Sequence, residues 1–205
     1  MPIVYFWSCQ QYLVLSKYTI SQYKMIQFTD LSQSDHPHFA KDLFESAFPD
    51  EERPPFGELK NRNKDKFHFL VATNENDDGD EPIGILTYWT FDDLVYVEHF
   101  AIDEDLRNQG LGKAVFLNFL SQQTDQVVLE IEHPHDEESE NRLEFYSSMG
   151  LFTNPQDYLQ PSYHGDQVTV PMIIMSKYEL DDDEFDEIRD ILYREVYKCK
   201  PSNMR

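Results

Sequence analysis

Residues 94–122 read LVYVEHFAIDEDLRNQGLGKAVFLNFLSQ and constrain the fold more than any other part of the chain. Their first nine residues are rich in β-branched and aromatic side chains, which predicts a buried strand. After an acidic turn and two glycines, apolar residues recur at roughly helical spacing up to Leu120. The order strand, glycine-containing loop and helix indicates an α/β protein in which a loop meets a helix N-terminus.

The loop at residues 107–113 has the properties of an anion-binding site. The first N–H groups of a helix have no partner within it, and the helix dipole adds partial positive charge. Gly110 and Gly112 lack a Cβ atom, so a phosphate can approach the main chain closely. Arg107 and Lys113 add two cations. The spacing R-x-x-G-x-G differs from the glycine patterns of NTPase loops and dinucleotide folds.

This loop resembles the acetyl-CoA pyrophosphate loop of the GNAT superfamily of acyl-CoA N-acyltransferases. A second match follows a predicted strand at residues 127–132, where RLEFYSSMGL (142–151) resembles a family helix that ends in F-Y-x-x-x-G-F/L. The resemblance spans about residues 25–178. It implies a central mixed β-sheet flanked by helices, with acetyl-CoA as co-substrate. The implied cofactor residues in the loop are Arg107, Asn108, Gln109, Gly110, Leu111, Gly112 and Lys113.

The resemblance also implies cofactor contacts outside the loop. The family splays the central strand from its neighbour and binds the pantetheine arm along it, which implicates the main chain of Phe100, Ala101 and Ile102. A main-chain N–H there is the expected oxyanion donor. Many relatives carry Asn seven residues before the motif tyrosine. Ser139 occupies that position here and is expected to make a weaker contact.

Acetyl transfer from a thioester to an amine sets the remaining demands. An alkyl amine of pKa ~10.4 is only about 0.04% neutral at pH 7, so a group must accept its proton. Glu98 is the candidate base, and strand alternation predicts that it shares a face with Tyr96 and Phe100 while His99 points the other way. Tyr146 matches the tyrosine that protonates the departing thiolate in many relatives, the alternative being an aromatic pair with Phe145 in the core.

Composition excludes several functions. The formal net charge is −22, so a nucleic-acid partner is not expected, whereas a cationic amine would be attracted. Cys9 and Cys199 form no C-x-x-C pair, and no run of 18 apolar residues occurs, which favours a cytoplasmic protein with no membrane partner. His133 and His135 lie in an acidic loop without converging ligands, so no metal is expected.

The predicted organisation is an N-terminal arm or added strand (1–24), the GNAT domain (25–180), and a C-terminal helix and tail (181–205). The apolar stripe of that helix either packs on the domain or forms a homodimer contact. Residues 51–56 either line the acceptor site or form a solvated connector. Two roles, substrate selection or local packing, are open for Tyr158, Tyr163 and His164.

Together these features predict an N-acetyltransferase that moves an acetyl group from acetyl-CoA to a primary amine of a small molecule or peptide. The alternative is a non-catalytic acyl-CoA-binding regulatory module that kept the loop and lost turnover. The sequence does not identify the acceptor.

Overall fold

The computed structural model describes residues 26–76, 79–164 and 168–199. The predicted arm 1–24, the hairpin tip at 77–78, residues 165–167 and the tail from 200 lie outside these ranges. In the described part, eight strands form one sheet: β1 Ile26–Asp30, β2 Phe67–Asn76, β3 Gly79–Phe91, β4 Leu94–Ile102, β5 Gln126–Glu132, β6 Phe152–Thr153, β7 Tyr158–Pro161 and β8 Thr169–Ser176.

The strand order is β1-β2-β3-β4-β5-β8-β6, with β7 paired to β8 further along the same edge. The β4–β5 pair is parallel and the other described pairs are antiparallel. The mixed sheet predicted from the sequence is therefore confirmed. The described helices are α1 Pro37–Ala47, α2 Leu111–Ser121, α3 Glu137–Ser147 and α4 Asp182–Ile191. None of them is long and apolar enough to cross a membrane.

The helices cover both faces of the sheet. On one face, α2 and α3 pack on alternate residues of the central strands such as Leu86, Val95 and Val97. On the other face, α1 packs on Ile85 and its neighbours, and α4 packs on Tyr96 and its neighbours. The β4–β5 pair at the centre is thus buried from both sides, as parallel strands usually are.

Two helices begin in different ways. The N-cap of α1 is His36, which makes no side-chain cap bond. Pro37 fixes the start of α1, because its missing N–H costs nothing in the first turn. Asp136 and Ser139 form a capping box that begins α3 at Glu137.

The C-terminal helix packs on its own domain. Asp181 and Glu184 form a capping box at its start, and a π-helical turn, Leu192–Val196, follows α4. The predicted stripe is buried in one cluster with Trp89 and Tyr96; its members are Phe185, Ile188, Leu192 and Val196. Of the two expectations for this stripe, the intramolecular one is therefore correct, and the stripe is not free for a dimer contact.

A β-bulge interrupts β4 at Glu98. In the register with β3, His99 lies opposite Thr87 and Val97 lies opposite Tyr88, so Glu98 is an extra residue. The bulge breaks side-chain alternation. Phe100 therefore packs on α2 and α3, on the face opposite to Tyr96. The predicted shared face of Glu98 and Phe100 is wrong for this reason.

The strands β4 and β5 separate after a short parallel ladder. Residues 94–97 pair with residues 126–129, and no pair follows. Beyond that point β5 continues to pair with β8 as far as Glu132, while β4 continues to pair with β3. Residues 98–102 and 130–132 therefore border an open wedge, called here the splayed gap.

Candidate functional site

The loop that follows β4 lies at the wide end of the splayed gap. A 3₁₀ turn, Glu104–Leu106, begins at Asp103, whose side chain accepts a hydrogen bond from the Asp105 amide at 3.0 Å. Asn108 (φ 61°) and Gly110 (φ 79°) are both in the left-handed region, which favours these two residue types. Gly110 is the N-cap of α2 and brings no side chain to its first-turn amides.

Two cations flank these amides. The Nε atom of Arg107 donates to the Ile102 carbonyl at 3.1 Å, and Nζ of Lys113 donates to the carbonyl and hydroxyl oxygens of Ser148 at the end of α3. Within the described ranges neither cation forms an ion pair. Their charge, together with the uncapped amides, fits a diphosphate.

The edge of β4 that faces the splayed gap offers main-chain groups. The Asp103 amide donates to Ile83 of β3, and alternate residues of an antiparallel ladder face the same neighbour. Ala101 therefore also faces β3, and its carbonyl lies only 2.6 Å from where a Cβ of Gly84 would be. Of the three residues implicated by the resemblance, the main chains of Phe100 and Ile102 are the ones that face the gap.

Tyr146 lies on the α2–α3 side of the sheet. Its ring contacts Phe116 at 5.2 Å and Phe145 at 5.1 Å between centroids. Burial raises the pKa of its hydroxyl, which Arg142 opposes only in part. The Tyr146 hydroxyl is therefore neutral at physiological pH. Phe145 itself stacks on Phe100 of β4, which places this part of α3 against the open half of that strand.

The hydroxyl of Ser139 is already used by the start of α3. It accepts from the His135 and Asp136 amides at 2.9 and 3.0 Å and donates to the Asp136 carboxylate at 2.7 Å. A contact with coenzyme A would compete with this cap. Asn141, two residues on, is exposed.

Glu98 lies on the opposite side of the sheet in a buried ion pair. Its side chain is 0% exposed and contacts the Arg62 guanidinium, while Trp89 Nε1 donates to it at 3.0 Å. Burial alone would raise the pKa of Glu98, but Arg62 and the hydrogen bonds outweigh burial and hold the pKa below its ordinary value. The other oxygen, Oε1, has no partner among the described residues.

His99 lies beside Glu98 instead of pointing away from it. Its Nδ1 atom is 3.8 Å from the Glu98 carboxylate, which corrects the prediction and follows from the bulge. The Nε2 atom lies 3.2 Å from the Glu52 carbonyl. Because a carbonyl only accepts, Nε2 carries the proton and Nδ1 accepts from the Thr87 hydroxyl at 3.0 Å. Burial lowers the pKa of His99, so the ring is neutral.

Sequence reasoning missed Glu130 of β5. Its carboxylate accepts hydrogen bonds from Tyr158 and Gln160 of β7 and from Tyr197, whose hydroxyl lies 2.7 Å away. Burial raises the pKa of Glu130, and these hydrogen bonds offset only part of the rise. A glutamate inside the apolar run VVLEIE was the available signal, since a buried strand rarely carries a charge without a partner.

The other residues singled out from the sequence lie around this cluster or at the surface. Tyr158 is buried, Tyr163 lies 6.1 Å from the His99 ring between centroids, and His164 Nε2 is 2.7 Å from the Asp50 carbonyl. The loop after α1 thus contacts both β4 and the β7–β8 connection. His133 and His135 are exposed, and no group of three metal-ligating side chains occurs within the described residues.

A family model and solved structures of other proteins resemble this chain. The family model described as "Acetyltransferase (GNAT) family" matches residues 28–150. A putative acetyltransferase of the GNAT family from Bacteroides thetaiotaomicron is 34% identical, with a TM-score of 0.76, and the match covers 85% of this chain and 99% of that one. The comparison with curated proteins finds no match.

More distant structures share the fold alone. The ribosomal-protein-S18-alanine N-acetyltransferase from Escherichia coli has a TM-score of 0.52 at 18% identity, over 74% of this chain and 92% of that one. A spermidine N-acetyltransferase mutant from Vibrio cholerae has a TM-score of 0.54 at 10% identity, over 75% and 95%. With the family model covering more than half of the sequence, the chain belongs to the GNAT acetyltransferase family, whose members use acetyl-CoA as co-substrate.

Proposed function

We propose that this protein is an N-acetyltransferase that moves the acetyl group of acetyl-CoA directly to a primary amine of a small molecule or peptide. The observation that carries the proposal is the splayed gap between β4 and β5. Its wide end meets the uncapped amides of the 107–113 loop and two cations, which form no ion pair within the described residues. The loop would hold the diphosphate, and the pantetheine arm would extend along the open edge of β4.

The open edge would also stabilise the reacting carbonyl. The main chains of Phe100 and Ile102 face the gap, and an N–H group there is the oxyanion donor in this proposal. Preorganised donors of this kind are worth about 10²–10³-fold in rate. The bulge at Glu98 sets which residues of β4 face the gap, and therefore which main-chain N–H groups could stabilise the reacting carbonyl.

Tyr146 would protonate the departing thiolate. Burial keeps its hydroxyl protonated, and the helix that carries it also places Phe145 against Phe100 on the open half of β4. In water the pKa values of a phenol and an alkyl thiol lie within about two units, and burial disfavours the thiolate anion as it does the phenolate.

Glu98 would serve on the acceptor side, although not as the proton acceptor. A carboxylate held ionised by Arg62 is a poor base for an ammonium group. Its unpartnered Oε1 atom instead suits attraction of a cationic acceptor. The loop after α1, joined to His99 and His164, and Tyr163 form the wall beside it.

The first experiment is titration calorimetry with acetyl-CoA, followed by a thiol-release assay. The amine panel comprises putrescine, spermidine, tyramine, glucosamine and a short peptide with a free N-terminal alanine. Arg107→Met with Lys113→Met should weaken acetyl-CoA binding, whereas Lys64→Met, an exposed lysine outside the site, should not. Absence of acetyl-CoA binding would refute the proposal, and binding without thiol release would favour the non-catalytic module.

A further inference from the structure

Two glutamates meet at the apex of the splayed gap. The last parallel pair joins Val97 to Leu129, so Glu98 and Glu130 are the first residues on each side where the strands part. Both carboxylates lie on the sheet face that carries Tyr96, whose hydroxyl bonds to Tyr197. Buried carboxylates are costly unless partnered, so two of them at one apex call for a physical reason.

Their partners make the two carboxylates different. Glu98 has a cation, Arg62, an indole N–H from Trp89, and one oxygen with no partner in the described part of the chain. Glu130 has only neutral donors, the two tyrosine hydroxyls and one amide described above. The side chain of Glu98 is fully buried, and burial is the largest influence on the pKa of both carboxylates.

A chain of two hydroxyl groups starts at Glu130, and the ring of its first member packs toward the acceptor side. The Tyr197 hydroxyl lies 2.7 Å from Glu130 Oε2 and 3.0 Å from the Tyr96 hydroxyl. The Tyr197 ring packs on Tyr163 with centroids 5.1 Å apart, and Tyr163 in turn lies beside His99. Protons can move along such hydroxyls in concert, so that no tyrosinate needs to form.

We propose that the Glu98–Glu130 pair is the subsite for the acceptor nitrogen, in which Glu98 holds the cationic amine and Glu130 receives its proton by way of the Tyr197 hydroxyl. Glu130 is then a positioning residue, because it acts through Tyr197 and does not touch the amine. This inference rests on the proposed acetyltransferase function and names the chemistry of its acceptor, a primary amine that arrives as a cation.

The electrostatics of the pair agree with this division of roles. The titratable groups that face Glu130 are uncharged tyrosines: Tyr158 from β7, Tyr163 from the β7–β8 connection, Tyr193 and Tyr197 from the C-terminal turn, and Tyr96 from β4. Glu98 acts on two of the same tyrosines, Tyr96 and Tyr163. Burial raises the pKa of Glu130, and Arg62 keeps the pKa of Glu98 low. Pairs of acids whose environments separate their pKa values commonly divide catalytic roles.

The proton balance is as follows. The bound ammonium, R–NH₃⁺, gives one proton through Tyr197 to the Glu130 carboxylate, which becomes a carboxylic acid. The neutral amine then forms the N–C bond as the C–S bond breaks. The N-protonated intermediate then loses its second proton to solvent and becomes the neutral amide, while Tyr146 gives its proton to the thiolate and recovers one from solvent. Glu130 finally returns its proton to solvent, so the products are the amide, the thiol and one proton.

The test is the pH dependence of kcat/KM, measured by thiol release with the panel amine that the unaltered protein uses best. We expect an acidic limb with a midpoint above the ordinary glutamate value of about 4.3, then a plateau. In Glu130→Gln the plateau should vanish, and kcat/KM should rise tenfold per pH unit up to the pKa of the amine. The loss near pH 7 should be about 10²-fold or more.

Three further variants separate the roles. Tyr197→Phe retains the carboxylate and removes the hydroxyl, and should reproduce the Glu130→Gln profile. Glu98→Gln should raise KM for the amine and retain the acidic limb. Glu187→Gln, the same substitution at an exposed position of α4, should change nothing. Acetyl-CoA affinity should be within about twofold of the unaltered protein in all four variants.

The outcomes are distinguishable. An unaltered protein that binds no acetyl-CoA or turns over no amine overturns the proposed function, and this inference with it. Turnover with an unchanged acidic limb in Glu130→Gln overturns the inference alone. If the variants do not fold, the pH dependence of kcat/KM in the unaltered protein still tests the inference. A kcat/KM that climbs tenfold per pH unit up to the amine pKa shows that no protein group takes the proton.

Discussion

Replacing Arg62 with Met tests the description of the Glu98 environment. The substitution leaves a fully buried carboxylate without its cation, because the Arg62 side chain is 12% exposed and that of Glu98 is 0% exposed. Removing one partner of a buried pair costs about 3–5 kcal/mol. The guanidinium also lies over the rings of Phe67 and Trp89, at 4.7 and 5.0 Å from their centroids, so a further loss of packing is expected.

The loss should depend on pH in a specified direction. In the unaltered protein the pKa of Glu98 is lowered, so its stabilisation is present above the unfolded pKa of about 4.3 and is lost as pH falls through the folded pKa. In Arg62→Met, burial is no longer offset by the cation and raises the pKa, although the Trp89 hydrogen bond remains. Stability then falls as pH rises from the unfolded pKa to the folded one. The difference in unfolding free energy therefore grows from acid to neutral pH.

Urea unfolding followed by circular dichroism between about pH 4.5 and pH 7.5 measures this difference. Arg189→Met is the matched control, since Arg189 pairs with Asp186 and Asp190 at the surface and should lose less than about 1 kcal/mol. The double variant Arg62→Met with Glu98→Gln should recover part of the loss. A loss in Arg62→Met that equals that of the control, or that does not vary with pH, would refute the reasoning.

Three other predictions concern the gap and its supports. Tyr146→Phe should lower kcat about 10²-fold or more while acetyl-CoA affinity, measured by calorimetry, changes less than about twofold; an unchanged kcat would remove the proton-donor role. Gly84→Ala should destabilise the protein by about 1–3 kcal/mol in urea, because the new Cβ would lie 2.6 Å from the Ala101 carbonyl; Gly57→Ala, with open space around the Cβ position, is its control. Phe185→Ala should cost about 3–5 kcal/mol, since this ring is 1% exposed; a loss below about 1 kcal/mol would contradict the packing of α4 on the sheet.

The strand and helix on either side of the 107–113 loop could be predicted from the sequence because their signals are local. A strand of nine residues, two glycines and an apolar periodicity follow each other within residues 94–122, and each has a direct physical meaning. The structure has the strand at Leu94–Ile102 and the helix at Leu111–Ser121. The left-handed backbone at Gly110 is likewise a property that glycine alone makes inexpensive.

The bulge could not be predicted, and it changed more than one conclusion. An extra residue in a strand carries no composition signal, because it is defined only by the partner strand. Simple alternation therefore placed His99 and Phe100 on the wrong faces. The strand β7 was also missed, since its sequence YLQP follows Pro155 and ends in a proline. It is held by pairing with the more distant strand β8.

The acceptor side was the least predictable part of the site. The Glu130 carboxylate accepts hydrogen bonds from Tyr158, Gln160 and Tyr197, which come from two later segments of the chain. The sequence left two roles open for Tyr158, substrate selection or packing. In the structure its hydroxyl donates a hydrogen bond to the Glu130 carboxylate.

The ladder on both edges of residues 94–97 contrasts with the single paired edge of residues 98–102. The first half of β4 has a hydrogen-bonded neighbour on each edge, whereas the second half is supported by β3 alone. Amide hydrogens of Val95 and Val97 should therefore exchange with deuterium far more slowly than those of Phe100 and Ile102, which face the gap. A bound cofactor arm would act as the missing neighbour strand and slow that exchange in turn.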